Sequence, residues 1–232
     1  MTHRVHPYVF RLGETTTWKS RWFGAKRFRT YLREDTLLRE WLWRRLDGMH
    51  VSSIEIERSP NTMTIVIRTS RPGMLIGRGG EGIGRLKSDI ERRVRHFLRR
   101  RPAGASSPEK RELKLLVEEV RSPETDAQIV AQQVREDIEK RVRFRRILKQ
   151  TVEKVSAHAE VKGVKVMLSG RLDGSEMSRT EWAKRGRIPL QTLRSVIDYA
   201  CVEAHTTYGT IGIKVWIYKG DVFEKGKEEP RK

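Results

Sequence analysis

The sequence predicts an α+β fold built in successive parts. Three observations lead there. Apolar residues recur at helical spacing in some segments and alternate with polar residues in others, so helices and half-buried strands are both present. These elements are interleaved along the chain, with a break near the middle at Ser122-Pro123. The chain is 232 residues long and 37% hydrophobic, enough for one or two cores.

Residues 1–27 read as a basic arm. Arg4, Arg11, Lys19, Arg21, Lys26 and Arg27 face a single acid, Glu14, with Trp18, Trp22 and Phe23 interleaved. Bases stack on such rings while the cations meet phosphate, which makes Arg4, Arg11, Trp18, Arg21, Trp22 and Lys26 candidate RNA contacts. The same aromatics could instead staple the arm to the protein's own core.

A first domain is expected over residues 28–121. Phe28, Tyr31, Leu38, Leu42 and Leu46, with Trp41 beside them, stripe a helix over 28–47 that Gly48 ends. Ile54 and Ile56 alternate with polar residues across Val51–Arg58. Met63, Ile65 and Ile67 do the same beyond the Ser59-Pro60-Asn61 turn, giving a hairpin. Arg71-Pro72-Gly73 breaks the second strand, and Met74-Leu75-Ile76 is a short apolar turn. After Gly77-Arg78-Gly79-Gly80 a long helix begins near Glu81, striped by Ile83, Leu86, Ile90, Val94 and Phe97. Arg101–Lys110 reads as a loop and Leu113–Val120 as a strand.

A second α+β domain is expected over residues 122–219, with a mainly antiparallel sheet packed on helices. Ala127, Val130, Ala131, Val134 and Ile138 stripe one helix; Phe144, Ile147, Leu148, Thr151 and Val155 stripe another. Val164, Val166 and Leu168 mark a strand, as do Ile211, Ile213, Val215 and Ile217. Leu193–Ala204 is ambiguous: Leu193, Ile197, Ala200 and Ala204 suit a helix, yet the segment could run as a strand into Gly209. Residues 220–232 read as a charged tail.

Charge narrows the function. Forty-nine Lys and Arg against 30 Asp and Glu give a formal charge of +19 and a pI near 10.5. Such a field calls for a polyanion, nucleic acid first and an anionic membrane surface second. Cys201 is the only cysteine, so there is no intrachain disulfide and no cysteine-based zinc site. The start of the chain lacks an apolar leader and no segment approaches a membrane span, so a cytoplasmic location without a membrane partner is expected. The six histidines show no metal spacing, and neither metal nor cofactor is expected.

Two features carry the site reading. Gly77-x-Gly79-x-x-Gly82 matches the dinucleotide fingerprint literally, but that fold needs the turn directly after a buried parallel strand. Here a hairpin strand, Pro72-Gly73 and a short apolar turn precede it, and no phosphate-loop lysine follows. The order helix, strand, strand, short helix, glycine loop, helix, strand resembles a type II KH domain. There glycines expose the backbone between two helices so that a sugar-phosphate chain can approach. Gly77, Arg78, Gly79 and Gly80 are then the loop, with a cation at one of its two variable positions. The second feature is the helix from Arg143. At ~100° per residue, Arg145, Arg146 and Lys149 fall opposite its apolar stripe and form one cationic face. Lys140, Arg141 and Arg143 precede them, and Glu153 is the first acid after them.

Longer runs resemble one family. His6–Gly13, Trp18–Phe23, Arg141–Arg146, Ser169-Gly170-Arg171-Leu172, Arg179-Thr180-Glu181-Trp182, Gly186–Leu190 and Ala204–Gly212 are similar to the bacterial S-three proteins of the small ribosomal subunit, over nearly the whole chain. The resemblance implies a non-catalytic role in the subunit head beside the messenger RNA entrance. It carries the entrance residues onto Arg145, Arg146 and Lys149; the family often has a further cation where this chain has Gln150. It implies ribosomal RNA contacts by the second domain, for which Arg171, Arg179, Arg185 and Arg187 are the candidates. It also implies neighbours S-ten and S-fourteen, and an extended course for residues 193–204. Two other readings compete. One is a free-standing KH regulator of messenger or small RNA. The other, remoter, is a nuclease using Asp173, Glu176 and Glu181 around a metal.

Overall fold

The structure is a computed structural model that describes residues 5–24, 27–59, 61–99 and 112–223. Arg4, Lys26, the expected loop over 101–110 and most of the expected tail lie outside the described residues. The described residues fall into two units, 18–123, and 5–17 together with 124–223. The expected arm is thus divided between them.

In the first unit, β1 (Ser20–Arg21), α2 (Phe28–Arg45), β2 (Val51–Arg58), β3 (Thr62–Thr69), α3 (Pro72–Ile76), α4 (Glu81–Arg99) and β4 (Glu112–Glu119) follow in sequence, α1 (Pro7–Phe10) belonging to the other unit. From α2 onward this is the order expected of a type II KH domain. The sheet order is β1-β2-β3-β4. β2 and β3 form the expected hairpin, with Ile56 opposite Ile65, and β4 runs parallel to β3. Alternation turns Ile54, Ile56, Met63, Ile65, Ile67 and Leu113 onto one face. There they meet Leu38 and Leu42 of α2 and Leu86 and Ile90 of α4 in one core.

The α2 stripe differs from expectation at its start. Phe28 is 55% exposed, and Glu34 and Asp35 occupy the buried positions between Tyr31 and Leu38. Both acids are partnered. Arg58 at the end of β2 donates from Nε to Asp35 Oδ1 at 2.8 Å and from Nη1 to Glu34 Oε2 at 2.8 Å. The Trp22 indole donates to Asp35 Oδ2 at 2.9 Å and packs edge-on against Phe28 and Tyr31. Trp22, expected as an RNA contact, is therefore engaged with its own domain.

The second unit contains α1 (Pro7–Phe10), α5 (Ala127–Glu139), α6 (Phe144–Ser156), β5 (Gly163–Gly170), β6 (Arg179–Gly186), β7 (Ser195–Thr206) and β8 (Gly209–Asp221). Its sheet, in order β6-β5-β8-β7, is antiparallel throughout. The stripes of α5 and α6 pack on one face of it, with Val164, Val166, Leu168, Ile213, Val215 and Ile217 in the shared core. Asp126 starts α5 by accepting from the amides of Gln128 and Ile129 at 2.9 and 3.1 Å, an N-cap. The ambiguous segment Leu193–Ala204 runs as a strand from Ser195: β7 pairs with β8 along its length, Ala200 opposite Val215 and Ala204 opposite Ile211. The step of four from Ala200 to Ala204 is even and satisfies strand alternation as well as a helical turn, whereas Ile197, three residues before Ala200, turns to the opposite face with Trp216 and Tyr218. Gly220 and Asp221, expected in the tail, complete β8.

Arg11 corrects a second expectation. Its side chain is fully buried. It donates to the carbonyls of Ser195 at 2.7 Å, Pro7 at 3.1 Å, Leu190 at 2.9 Å, Thr192 at 3.0 Å and Pro189 at 3.2 Å. Burial pulls its pKa below the usual guanidinium value. With its donors directed at backbone oxygens, Arg11 clamps the N-terminal segment to the sheet unit and cannot also grip phosphate.

Candidate nucleic-acid interface

The cationic face of α6 is present as the helical period requires. Phe144, Ile147, Leu148, Val152 and Val155 are buried, while Arg145, Arg146 and Lys149 are exposed. Thr151, expected in the stripe, is only half-buried, and Val152 takes its place. Among the described residues no carboxylate lies within ion-pair reach of these three cations. Elsewhere on the helices pairing is frequent: Arg92–Asp89, Arg95–Glu91 and Lys140–Glu136 all neutralise one another. The α6 cations therefore keep their charge available to a ligand.

They line an open groove between α6 and β6, of about 1040 Å³, together with Arg143 and Gln150 and the carboxylates Glu153 and Glu181. β6 is an edge strand and supplies further cations. The Arg179 guanidinium lies 5.3 Å from the Phe144 ring centroid, with Arg145 5.7 Å from the same ring. Arg185 donates to the Ser156 hydroxyl of α6 at 3.1 Å. Arg179 is partly held by Glu181 at 3.6 Å. So Arg179 and Arg185 join the face of Arg145, Arg146 and Lys149.

Arg171 and Arg187 lie elsewhere on the same unit. Arg171 donates to the Ser175 carbonyl at 2.8 Å. Arg187 donates to the Tyr218 hydroxyl at 3.3 Å, and that hydrogen bond, with nearby Asp221, raises its pKa. In the first unit Arg21 pairs with Glu55 and Glu57, which reduces what it can offer a phosphate. Trp18 remains 65% exposed.

Trp182 was missed as a site candidate. It is 57% exposed on the sheet face away from the helices, with the Lys165 ammonium 5.0 Å from its ring. Its strand, Arg-Thr-Glu-Trp-Ala-Lys-Arg-Gly, lacks apolar alternation, so β6 gives no sequence signal beyond a single tryptophan.

The glycine loop has the expected geometry. Gly77, Gly79 and Gly80 have φ of 71°, 62° and 81°, which favour glycine. Gly82 has a separate role, because a Cβ there would stand 2.6 Å from the Leu75 carbonyl oxygen where α3 and α4 meet. Arg78 is exposed at the loop's tip. α3 separates β3 from this loop, unlike a dinucleotide site. Among the described residues no group of three His, Cys, Asp or Glu side chains could hold a metal, so Asp173, Glu176 and Glu181 are not gathered.

A KH domain joined to an α+β unit whose α6 presents three unpaired cations defines an RNA-binding protein. Residues 37–125 match the KH domain model, and residues 134–217 match that of ribosomal protein S3, C-terminal domain. The chain is 43% identical to small ribosomal subunit protein uS3 of Acidobacterium capsulatum over 231 residues, covering 100% of this chain and 96% of that one. It is 44% identical to the uS3 protein of Koribacter versatilis over 232 residues, covering 100% and 97%. For the uS3 protein of Magnetococcus marinus the figures are 45% over 225 residues, 97% and 100%. The chain belongs to the small ribosomal subunit protein uS3 family.

Proposed function

We propose that this chain is a non-catalytic constituent of the small subunit of the cytoplasmic ribosome. It binds ribosomal RNA in the subunit head and lines the messenger RNA entrance, where its cations help open structured messenger. The observation that carries the reading is the α6 face: Arg145, Arg146 and Lys149 stand exposed and without carboxylate partners over a groove. Cations left unpaired in this way meet phosphate without breaking an internal ion pair. Arg179 and Arg185 extend the groove, and Arg171 and Arg187 offer further ribosomal RNA contacts. Arg78 on the KH loop and the exposed Trp18 of the first unit offer others. By family resemblance the protein neighbours are S-ten and S-fourteen.

Two measurements test this. On sucrose gradients at low salt the protein should co-sediment with small subunits; a protein confined to the top fractions while binding free RNA tightly would be a free-standing regulator instead. Replacing Arg145, Arg146 and Lys149 together by Ala should reduce the salt slope of single-strand RNA binding by roughly 0.7 per lost phosphate contact. An unchanged slope would remove α6 from the interface.

A further inference from the structure

Three runs that are far apart in sequence close around one cavity of about 300 Å³ in the second unit. They are the α5–α6 turn, the turn after β5, and the β7–β8 turn. Its walls are partly apolar, with Ile138, Val142, Leu172 and Ile211 supplying aliphatic surface and Phe144 and Tyr208 aromatic surface, and partly polar. Cations stand at the mouth. Arg141 and Arg171 are both exposed there.

The cavity's boundary is built with unusual backbone. Among the described residues only three non-glycines have positive φ, and two of them, Arg141 at 60° and Asp173 at 53°, border this cavity. Arg141 closes α5, its amide bonded to the Ile138 carbonyl at 2.9 Å, a position that glycine ordinarily fills. Tyr208 is 57% exposed, and its ring lies against Gly174, where a Cβ would stand 3.1 Å from the ring. Arg171 braces the same ring, its guanidinium 6.0 Å from the centroid and its Nη1 3.5 Å from the Tyr208 carbonyl. The Tyr208 ring is thus held in place and left more than half exposed.

We propose that this cavity receives one unstacked nucleobase of an RNA strand. It rests on the RNA-docking role proposed above for this unit. A slot with apolar and aromatic walls and a polar border suits a flat ring with a polar edge, and the arginines suit the phosphates on either side of it. The Asp173 carboxylate and the Thr207 hydroxyl at the border offer partners to a base's polar edge. A duplex end is too wide for the space, and a bare phosphate would leave the apolar walls unused.

The test uses the full-length protein and small probes. Amide NMR shifts are followed on adding each of the four nucleoside 5′-monophosphates, ribose 5-phosphate, and N-acetyltyrosinamide. At least one mononucleotide should shift Arg171–Gly174 and His205–Tyr208 saturably at millimolar concentration, while ribose 5-phosphate leaves them still. Tyr208→Ala, with unchanged melting temperature, should weaken that binding roughly tenfold, and Tyr208→Phe should restore it. Equal shifts from ribose 5-phosphate would make this a phosphate site and overturn the proposal. So would shifts from N-acetyltyrosinamide alone, which mark a protein side-chain pocket, or no shift from any mononucleotide. An unchanged salt slope in the α6 variant with these shifts intact would instead count against the groove reading alone.

Discussion

Replacing Arg11 by Met should unlock the N-terminal segment from the second unit. Methionine keeps the length and apolar stem of arginine and removes every donor. Five carbonyls then lose a partner. Those of Pro189, Leu190 and Thr192 are in partly buried contacts and can regain water; those of Pro7 and Ser195 are in buried ones. A hydrogen bond from a charged donor contributes about 1.5–3 kcal/mol, so the two buried bonds together represent about 3–6 kcal/mol. Relief from burying a guanidinium offsets part of this, leaving a net loss of about 3 kcal/mol. For a unit of this size that lowers Tm by roughly 10 °C. Urea and thermal unfolding followed by circular dichroism measure it. A loss below about 1 kcal/mol would refute the clamp. The same variant, at a temperature where it is folded, should keep the wild-type salt slope for RNA binding. A decrease of about 0.7 would return Arg11 to the phosphate contacts.

Three further outcomes follow from named contacts. Gly82→Ala should destabilise the KH domain by about 1–3 kcal/mol through its clash with the Leu75 carbonyl, whereas Gly84→Ala, with open space around it, should stabilise by up to about 1 kcal/mol; equal effects in urea melts would refute the helix-contact argument. Asp35→Ala should cost about 1–3 kcal/mol, because it removes the acceptor of Arg58 Nε and of the Trp22 indole in the interior while Glu34 still pairs Arg58; a change in urea midpoint too small to resolve would show that water replaces the carboxylate. Asp221 accepts hydrogen bonds from Ser195 and Tyr218, which hold its pKa below the ordinary 3.8, with Arg187 and Arg194 adding to the effect. Its stabilising contribution is therefore complete above pH 3.8 and is lost as pH falls through the lowered value. The Tm gap between wild type and Asp221→Asn should close on acidification across that window, and a gap constant from neutral pH down to pH 3 would refute the linkage.

Much of the fold is legible because most elements bury one regular face. The β2–β3 hairpin, α4 and α5 each carry a single period that no other element type imitates. The failures share a physical cause: the decisive interaction is with a distant segment. β1 is two residues long and exists through its pairing with Ile56 and Glu57 of β2. β6 is an edge strand whose side chains are mostly polar on both faces, so it has no alternation to read. Glu34 and Asp35 interrupt the α2 stripe in a way that sequence reads as exposed positions; Arg58, more than twenty residues on, keeps them inside.

The same reasoning explains which cations could be assigned to RNA from sequence. In α6 the helical period fixes which side is buried, so the opposite side must face outward, and Arg145, Arg146 and Lys149 do. The N-terminal segment has no period, and a cation there says nothing about its own surroundings. Arg11 and Arg21 read alike, yet one is buried against carbonyl oxygens and the other is tied to two glutamates. A net charge of +19 establishes that a polyanion is needed. It does not establish which cations meet it, because every internal clamp and ion pair draws on the same residue types. Unpaired exposure on a periodic element is the stronger criterion. Of the two opening features it selects the α6 face, where three cations stand together, over the glycine loop, whose single cation Arg78 sits among residues chosen for their backbone.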